Sequence, residues 1–245
     1  MASKMVDIKT PDGVADSYVS YPDSGGPFPA VLFFMDGIGL RDTVKKMADR
    51  IAAAGYYVLL PNMYYRKGRA PLWEGASILG DRPRLMEMVM SLTPERVVGD
   101  AGAFLDFLGK QKEVRPGSKV GATGYCMGAT HVMRTAAAFP DRVAAGAGFH
   151  GGGLASDDPN SPHRLAGQIK ARLYFGHADE DAFNTPEQQA KLSDALKAAG
   201  RVFRAELYKG AKHGYTMADL PIYDQAAAEK HWQNLLGLLK EALPA

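Results

Sequence analysis

Short apolar runs alternate with helix-like segments along most of the chain, and this alternation most strongly constrains its fold. Six runs have the character of strands, at 30–34, 56–60, 119–123, 143–146, 172–175 and 203–207. Most are apolar at successive positions, as expected for strands covered on both faces of a parallel sheet. The sequence therefore predicts an α/β fold with a mostly parallel sheet flanked by helices on both faces.

Helix signals separate these strands. Helices are predicted over 41–54, from 94 onward, over 188–199 and over 223–242. Thr-Pro precedes the second and the third, a pair in which threonine caps the helix and proline takes its first position. No repeat or long linker divides the 245 residues, so we expect one domain spanning 1–245.

The bulk properties exclude several classes of protein. The formal net charge is +2 and the basic residues are scattered, whereas binding to nucleic acid requires a concentrated basic surface. The apolar runs are far shorter than the roughly 20 residues of a membrane-spanning helix. A single cysteine forms no internal disulfide, which suits a reducing compartment. We expect a cytoplasmic monomer or weak homo-oligomer that binds neither nucleic acid nor membranes.

The most informative segment is the strand–turn–helix at 119–130, which contains Gly-Tyr-Cys-Met-Gly at 124–128. A nucleophile elbow has this form, because its central residue is strained and the glycines leave room for the strand and the helix. Cys126 stands at the nucleophile's position. The helix start favours a thiolate there, because the helix dipole stabilises negative charge. The alternative is an inert core cysteine.

A histidine and an aspartate follow Cys126 in the order typical of an α/β-hydrolase. His213 comes directly after the last predicted strand, where that order places the general base. The acid is expected after strand 172–175, in a loop that contains both Asp179 and Asp181. Either carboxylate can orient the imidazole and stabilise its cationic form. The distance to the next helix start favours Asp181, with Asp179 as the alternate.

Three motifs give the chain a resemblance to the dienelactone hydrolase (carboxymethylenebutenolidase-like) family, over nearly its whole length. They are the elbow at 124–128, His-Gly-Tyr at 213–215, and Met-Asp-Gly-Ile-Gly at 35–39 after the first core strand. The resemblance implies a single-domain α/β-hydrolase with a Cys-His-Asp triad. No metal and no cofactor are expected, since the histidines lack the spacing of metal ligands.

The resemblance also implies roles for residues around this triad. The backbone amides of Gly37 and Met127 would bind the developing oxyanion, and the elbow geometry assigns the second of these independently. In the family a glutamate helps to deprotonate the cysteine once substrate arrives, and here Asp36 stands at its position, one methylene shorter. The alternative for Asp36 is a pocket-lining or structural role. Arg82, or failing it Arg84, would correspond to one of the two family arginines that grip a substrate carboxylate. The alternative for both is a solvated surface charge.

The second family arginine has no counterpart, because 213–217 reads His-Gly-Tyr-Thr-Met. A bidentate guanidinium contact is not replaced by methionine, so we expect a less anion-selective and more apolar site. The residues expected to contact substrate or line the pocket are Tyr125, Tyr215, Tyr64, Tyr65, Trp73 and Met217.

The expected reaction is hydrolysis of a small ester or lactone through an acyl-cysteine intermediate, with His213 as general base and then general acid. One alternative is a thioesterase or other acyl hydrolase on the same scaffold. Another is a non-catalytic small-molecule-binding homologue, since a fold alone does not establish activity. A third is a redox-sensing thiol at Cys126.

Overall fold

An eight-stranded sheet forms the centre of the computed structural model, which describes residues 1–243. Residues 244 and 245 of the predicted domain lie outside the described residues. The strands are β1 (Ala2–Thr10), β2 (Gly13–Tyr21), β3 (Ala30–Phe34), β4 (Tyr57–Pro61), β5 (Val120–Tyr125), β6 (Val143–Phe149), β7 (Arg172–Glu180) and β8 (Phe203–Lys212). Their order is β1-β2-β4-β3-β5-β6-β7-β8, and β3 to β8 are parallel. The predicted α/β fold with a mostly parallel sheet is confirmed.

The helices connect the parallel strands. They are α1 (Asp42–Ala53), α2 (Arg82–Met90), α3 (Pro94–Leu108), α4 (Met127–Ala138), α5 (Pro186–Ala198) and α6 (Gln225–Ala242), with short 3-10 helices at Ser77–Gly80 and Pro162–Gln168. The Thr-Pro signals act as predicted. The hydroxyl of Thr93 accepts the Arg96 amide, and Thr185 forms a reciprocal capping box with Gln188.

Two glycines show that helices cover both faces of the sheet. A Cβ on Gly121 of β5 would meet Leu239 of α6, whereas a Cβ on Gly146 of β6 would meet Val132 of α4. Gly146 pairs with the residue after Gly121, so the two glycines point to opposite faces. Helices α4 and α6 therefore pack on opposite faces of the sheet. The central strands β3, β4 and β5 are buried at every position.

The structure contains an amino-terminal hairpin, β1 and β2, that the apolar runs of the sequence did not predict. These strands are antiparallel and β1 lies at the sheet edge, where one face meets solvent. Edge strands of this kind alternate in polarity instead of forming unbroken apolar runs. None of the helices within residues 1–243 is long and apolar enough to cross a membrane.

Candidate active site

Cys126 occupies the turn between β5 and α4 in the geometry of a nucleophile elbow. Its φ is 53° and its ψ is −118°, a conformation that residues with side chains rarely adopt. A Cβ on Gly124 would lie 2.1 Å from the carbonyl oxygen of Gly128, and a Cβ on Gly128 would lie 2.6 Å from that of Phe34. Glycine is therefore required on both sides, and the partly exposed thiol is held at the carboxyl end of β5.

His213 joins Cys126 to Asp181. The Nε2 atom of His213 lies 3.0 Å from Cys126 Sγ, and its Nδ1 atom lies 2.8 Å from Asp181 Oδ2. The side chain of Asp181 is fully buried. Asp179 instead accepts a hydrogen bond from the Gly210 amide. Of the two candidate acids, the structure brings Asp181 against the imidazole.

The surroundings of His213 favour its charged form. Burial lowers the pKa of His213, but the negative charge on Cys126 and the hydrogen bonds to Asp181 and Cys126 outweigh burial and raise it to about 10. The imidazole of His213 therefore keeps its proton at neutral pH. Such a histidine is poised to donate a proton to a substrate oxygen.

The amides of Gly37 and Met127 donate no hydrogen bond to any other described residue. Met127 is the first residue of α4, a position whose N–H has no partner inside the helix. The buried hydroxyl of Tyr64 donates to the Gly37 carbonyl oxygen at 3.0 Å and lies 3.4 Å from Met127 Sδ. Burial, then the charges of Asp36 and Cys126, raises the pKa of Tyr64 well above its usual value. A neutral hydroxyl thus links the two peptide segments.

Asp36 lies in a buried ion-pair bridge. Two nitrogens of Arg41 lie 2.7 and 3.0 Å from the two Asp36 oxygens, and two other contacts of 2.6 and 3.1 Å join Arg41 to Asp219. Arg41 is only 5% exposed. Burial raises the pKa of Asp219, but its hydrogen bonds to Arg41 outweigh burial and lower it. The bridge ties the loop after β3 to the loop that carries His213.

His150 supports the His213 ring from the end of β6. It is fully buried with a φ of 38°, and its Nε2 atom lies 2.7 Å from Thr216 Oγ1. The rings of His150 and His213 pack edge to face with their centres 5.3 Å apart. Burial, reinforced by the charges of His213 and His231, lowers the pKa of His150 well below its usual value. The neutral imidazole of His150 therefore packs against the charged imidazole of His213.

Helix α2 lies over the loop that carries Gly37. A Cβ on Gly37 would lie 3.4 Å from Val89 Cγ2 and 3.5 Å from Leu85 Cδ1. Arg82 precedes these two residues by seven and three positions, so helical spacing places it on the same face. Its exposed side chain has no charged partner among residues 1–243. Arg84 lies two positions further along, on another side of the helix.

Phe183 packs against His213 yet stays half exposed. The two ring centres are 5.1 Å apart, the rings are inclined by 60°, and Phe183 is 49% exposed. Its N–H donates to Asp181 Oδ1 at 2.9 Å, and its carbonyl oxygen accepts the Gly153 amide at 3.1 Å. An apolar ring is thus fixed beside the imidazole and open to solvent.

The part of the sequence that forms this site matches a known protein family. The family model described as "Dienelactone hydrolase family" matches residues 15–243, a range that contains every residue of the site described above. The chain belongs to the dienelactone hydrolase family.

Individual relatives agree with the family assignment. The chain is 29% identical to a protein of Methylorubrum extorquens named "Putative carboxymethylenebutenolidase", over 94% of this chain and 78% of that one. Among solved structures, it is similar to "Putative Dienelactone Hydrolase from Klebsiella pneumoniae subsp. pneumoniae MGH 78578", with 20% identity, 98% of each chain covered and a TM-score of 0.87. A dienelactone hydrolase-like promiscuous phosphotriesterase from metagenomic libraries is 24% identical, with 98% of each chain covered and a TM-score of 0.80.

Asp36, for which the dienelactone hydrolase resemblance implied a part in deprotonating the cysteine, is bound to Arg41. Its oxygens accept hydrogen bonds from Arg41 and from two amides of its own loop, and it makes no hydrogen bond to Cys126. The bidentate guanidinium contact fixes the carboxylate against the loop of Gly37, which it organises. A part for Asp36 in deprotonating Cys126 once substrate binds stays a prediction.

The predicted substrate contacts of Tyr125 and Tyr215 do not fit the structure. Tyr125 is fully buried between Phe33 and Phe149, and its hydroxyl bonds to His231 of α6. Tyr215 is fully buried, and its hydroxyl donates to the carbonyl oxygen of Gly176. Both rings therefore belong to the core, and neither is open to a substrate.

Of the other residues predicted to line the pocket, two lie near the loop of Gly37 and two do not. Met217 is fully buried, and Tyr65 bonds to Asp100 and Thr10, away from Cys126. Tyr64 and Trp73 pack together beside the loop of Gly37, with ring centres 6.0 Å apart.

The apolar residues at the mouth of the site were not predicted from the sequence. Leu85 and Val89 lie on a helix that was not predicted, and Phe183 follows the acid by two positions. That short spacing after Asp181 was the available signal for Phe183. No cluster of three or more metal-binding side chains occurs within the described part of the chain.

Proposed function

We propose that this member of the dienelactone hydrolase family cleaves a small ester or lactone through an acyl-cysteine intermediate. The observation that carries the proposal is the contact chain from Cys126 Sγ to His213 Nε2 at 3.0 Å and from His213 Nδ1 to Asp181 Oδ2 at 2.8 Å. A nucleophile, a base and an orienting acid in this order are what acyl transfer requires.

The first half of the reaction forms the intermediate. The Cys126 sulfur attacks the carbonyl carbon, and the oxyanion is stabilised by the free amides of Gly37 and Met127. Each donor of this kind contributes about 2.7–4 kcal/mol in the transition state. The carbon–oxygen bond then breaks, and the leaving oxygen takes the proton of the His213 imidazolium.

The second half releases the product. Water gives one proton to His213 Nε2 while its oxygen attacks the acyl carbon. The carbon–sulfur bond breaks, the sulfur leaves as a thiolate beside the restored imidazolium, and the carboxylic acid departs. Asp181 keeps the imidazole oriented through both steps, and no redox partner is needed.

Arg82 is the proposed contact for a substrate carboxylate. Its exposed guanidinium shares the helix face of Leu85 and Val89, which cover Gly37. A single arginine recognises a carboxylate less selectively than the pair found in the family. We therefore propose a substrate range that includes esters and lactones without a carboxylate.

The test is hydrolysis of phenyl acetate by wild type and by Cys126→Ala, with Cys126→Ser as the variant that keeps a weaker nucleophile. We expect Cys126→Ala to lose activity by at least roughly a thousandfold. Intact-mass measurement after an acid quench should show one added acetyl group on wild type and none on Cys126→Ala. The thermal unfolding midpoint of the variant serves as the folding control.

Equal turnover by wild type and Cys126→Ala would overturn the proposed mechanism. Absence of turnover with every ester, lactone and thioester tried would favour a binding homologue. Faster turnover of acetyl thioesters than of oxygen esters would assign the same cysteine chemistry to a thioesterase.

A further inference from the structure

A half-exposed aromatic ring lies beside the imidazole that protonates the leaving group in the proposed function. In the proposed function, the leaving oxygen receives its proton from His213 Nε2, so it approaches that atom to about 2.6–3.2 Å. The Phe183 ring centre is 5.1 Å from the centre of the same imidazole. Of the two aromatic rings that pack against His213 within residues 1–243, His150 is fully buried and only Phe183 is open to a group attached to the leaving oxygen.

The ring of Phe183 is held in place rather than left loose. Hydrogen bonds to Asp181 and Gly153 fix its backbone, and a Cβ on Gly152 would lie only 2.9 Å from Phe183 Cβ. The same Asp181 carboxylate thus orients His213 through Oδ2 and Phe183 through Oδ1. A preorganised apolar surface of this kind binds without a large loss of side-chain freedom.

We propose that Phe183 is a specificity-determining residue that packs against the leaving group, and that it favours esters and lactones with a planar, apolar aryl leaving group. Aromatic rings favour offset or edge-to-face contacts at centre separations of 4.5–7 Å, which a small saturated alkyl group cannot make. This inference rests on the proposed function and adds the substrate class to it.

The acyl side of the site has different contacts. Leu85 and Val89 approach the Cβ position of Gly37, next to one proposed oxyanion donor, and not the imidazole. Substitutions on the two sides are therefore expected to change preference for different halves of the ester. Val89→Ala, on the acyl side, is a matched apolar control for Phe183→Ala.

The experiment compares phenyl acetate with trifluoroethyl acetate in wild type, Phe183→Ala, Phe183→Leu and Val89→Ala. Both esters give the same acetyl-enzyme, and their intrinsic reactivities cancel when each is compared between variants. We expect Phe183→Ala to lower kcat/KM roughly tenfold for the phenyl ester and less than about twofold for the trifluoroethyl ester. For the phenyl ester, the kcat/KM of Phe183→Leu should fall between those of wild type and Phe183→Ala. Val89→Ala should leave the ratio of the two esters' kcat/KM values unchanged.

Equal loss for both esters in Phe183→Ala, or no loss for either, overturns the leaving-group assignment. The rate of Cys126 alkylation by iodoacetamide, expected to match wild type, shows that the cysteine and histidine remain in place. Cys126→Ala is assayed alongside. Its retained activity would overturn the proposed function itself, whereas its inactivity combined with an unchanged Phe183→Ala ratio overturns only this inference.

Discussion

At the scale of single residues, the site depends on a cysteine held in a backbone conformation that costs free energy. A positive φ at a residue with a side chain costs about 1–3 kcal/mol and persists only where its surroundings enforce it. At Cys126 the positive φ is fixed by β5, by the start of α4 and by the two glycines that let the strand and the helix approach each other.

Replacing one of these glycines is expected to destabilise the protein. In Gly128→Ala the new Cβ lies 2.6 and 2.7 Å from the carbonyl oxygens of Phe34 and Met35, so backbone must shift. We expect a loss of about 1–3 kcal/mol in the free energy of unfolding. Gly237→Ala, in α6 with nothing near its Cβ, should instead gain up to about 1 kcal/mol. Urea unfolding of both variants checks the signs, and a Gly128→Ala protein as stable as wild type would refute the steric account.

The charge on Cys126 is expected to control the titration of His213. In Cys126→Ser the negative charge is lost while burial remains, so the pKa of His213 should fall from about 10 towards its ordinary value. The raised pKa favours the folded state fully below about pH 6.5, and this contribution disappears as the pH rises through about 10. NMR titration of the imidazole signals measures the shift, and the same pKa in both proteins would contradict it.

At the scale of elements, a buried arginine joins two loops that the chain keeps far apart. Arg41 precedes α1, and Asp219 follows β8, yet both contact each other and Arg41 also holds Asp36. The loop of Gly37 and the loop of His213 are thereby fixed relative to each other. Because opposite charges are buried together, the bridge is costly to break from one side.

Removing the arginine is expected to cost far more than removing an exposed lysine of the same charge. Arg41→Met leaves Asp36 buried and unpaired, for an expected loss of about 3–5 kcal/mol in the free energy of unfolding. Lys170→Met breaks an ion pair with Asp141 whose side chains are 60% and 78% exposed, so solvent screening leaves little stability to lose. Chemical denaturation of both variants gives the comparison. Similar small losses would mean that the bridge does not hold the loops.

At the scale of the whole molecule, the fold buries several histidines in the neutral form. Burial lowers the pKa of His131 and His231 to about 3 and that of His177 to about 4, and it lowers that of His150 well below its usual value. The unfolded chain binds protons at these sites below about pH 6.5 and the folded chain does not. Stability from them is complete above that pH and declines as the pH falls towards the folded pKa values.

The protein is therefore expected to lose stability in mild acid before its carboxylates titrate. Between about pH 7 and pH 5.5 each of these histidines costs about 1 kcal/mol, and the protonated His213 offsets part of the sum. His131→Leu removes one such group, whose hydrogen-bond contact within the described residues is 3.3 Å, from Nδ1 to Thr130 Oγ1. Urea unfolding at both pH values should show a smaller pH effect in the variant, and identical pH effects would argue against this source.

The main strands and helices and the nucleophile turn were predictable from the sequence, because they depend on residues that are close together in the chain. The bounds of β3 were predicted to the residue, and Cys126 was placed at an elbow, because unbroken apolar runs and glycine-flanked turns act over a few neighbouring positions. His213 followed from its place after the last strand. Helix α2 escaped prediction, since only Met88 of its nine residues is buried and the apolar pattern is weak.

The tertiary structure alone decided which side chains meet. Asp179 and Asp181 lie in the same short segment, and only the register of β7 against β8 directs one to the Gly210 amide and the other to His213. Tyr125 is next to Cys126 in the sequence, but its side chain lies in the core. Asp36 forms its ion pair with Arg41. Local patterns determine where strands end and turn, whereas contacts between distant residues depend on packing and register, which no short stretch of sequence encodes.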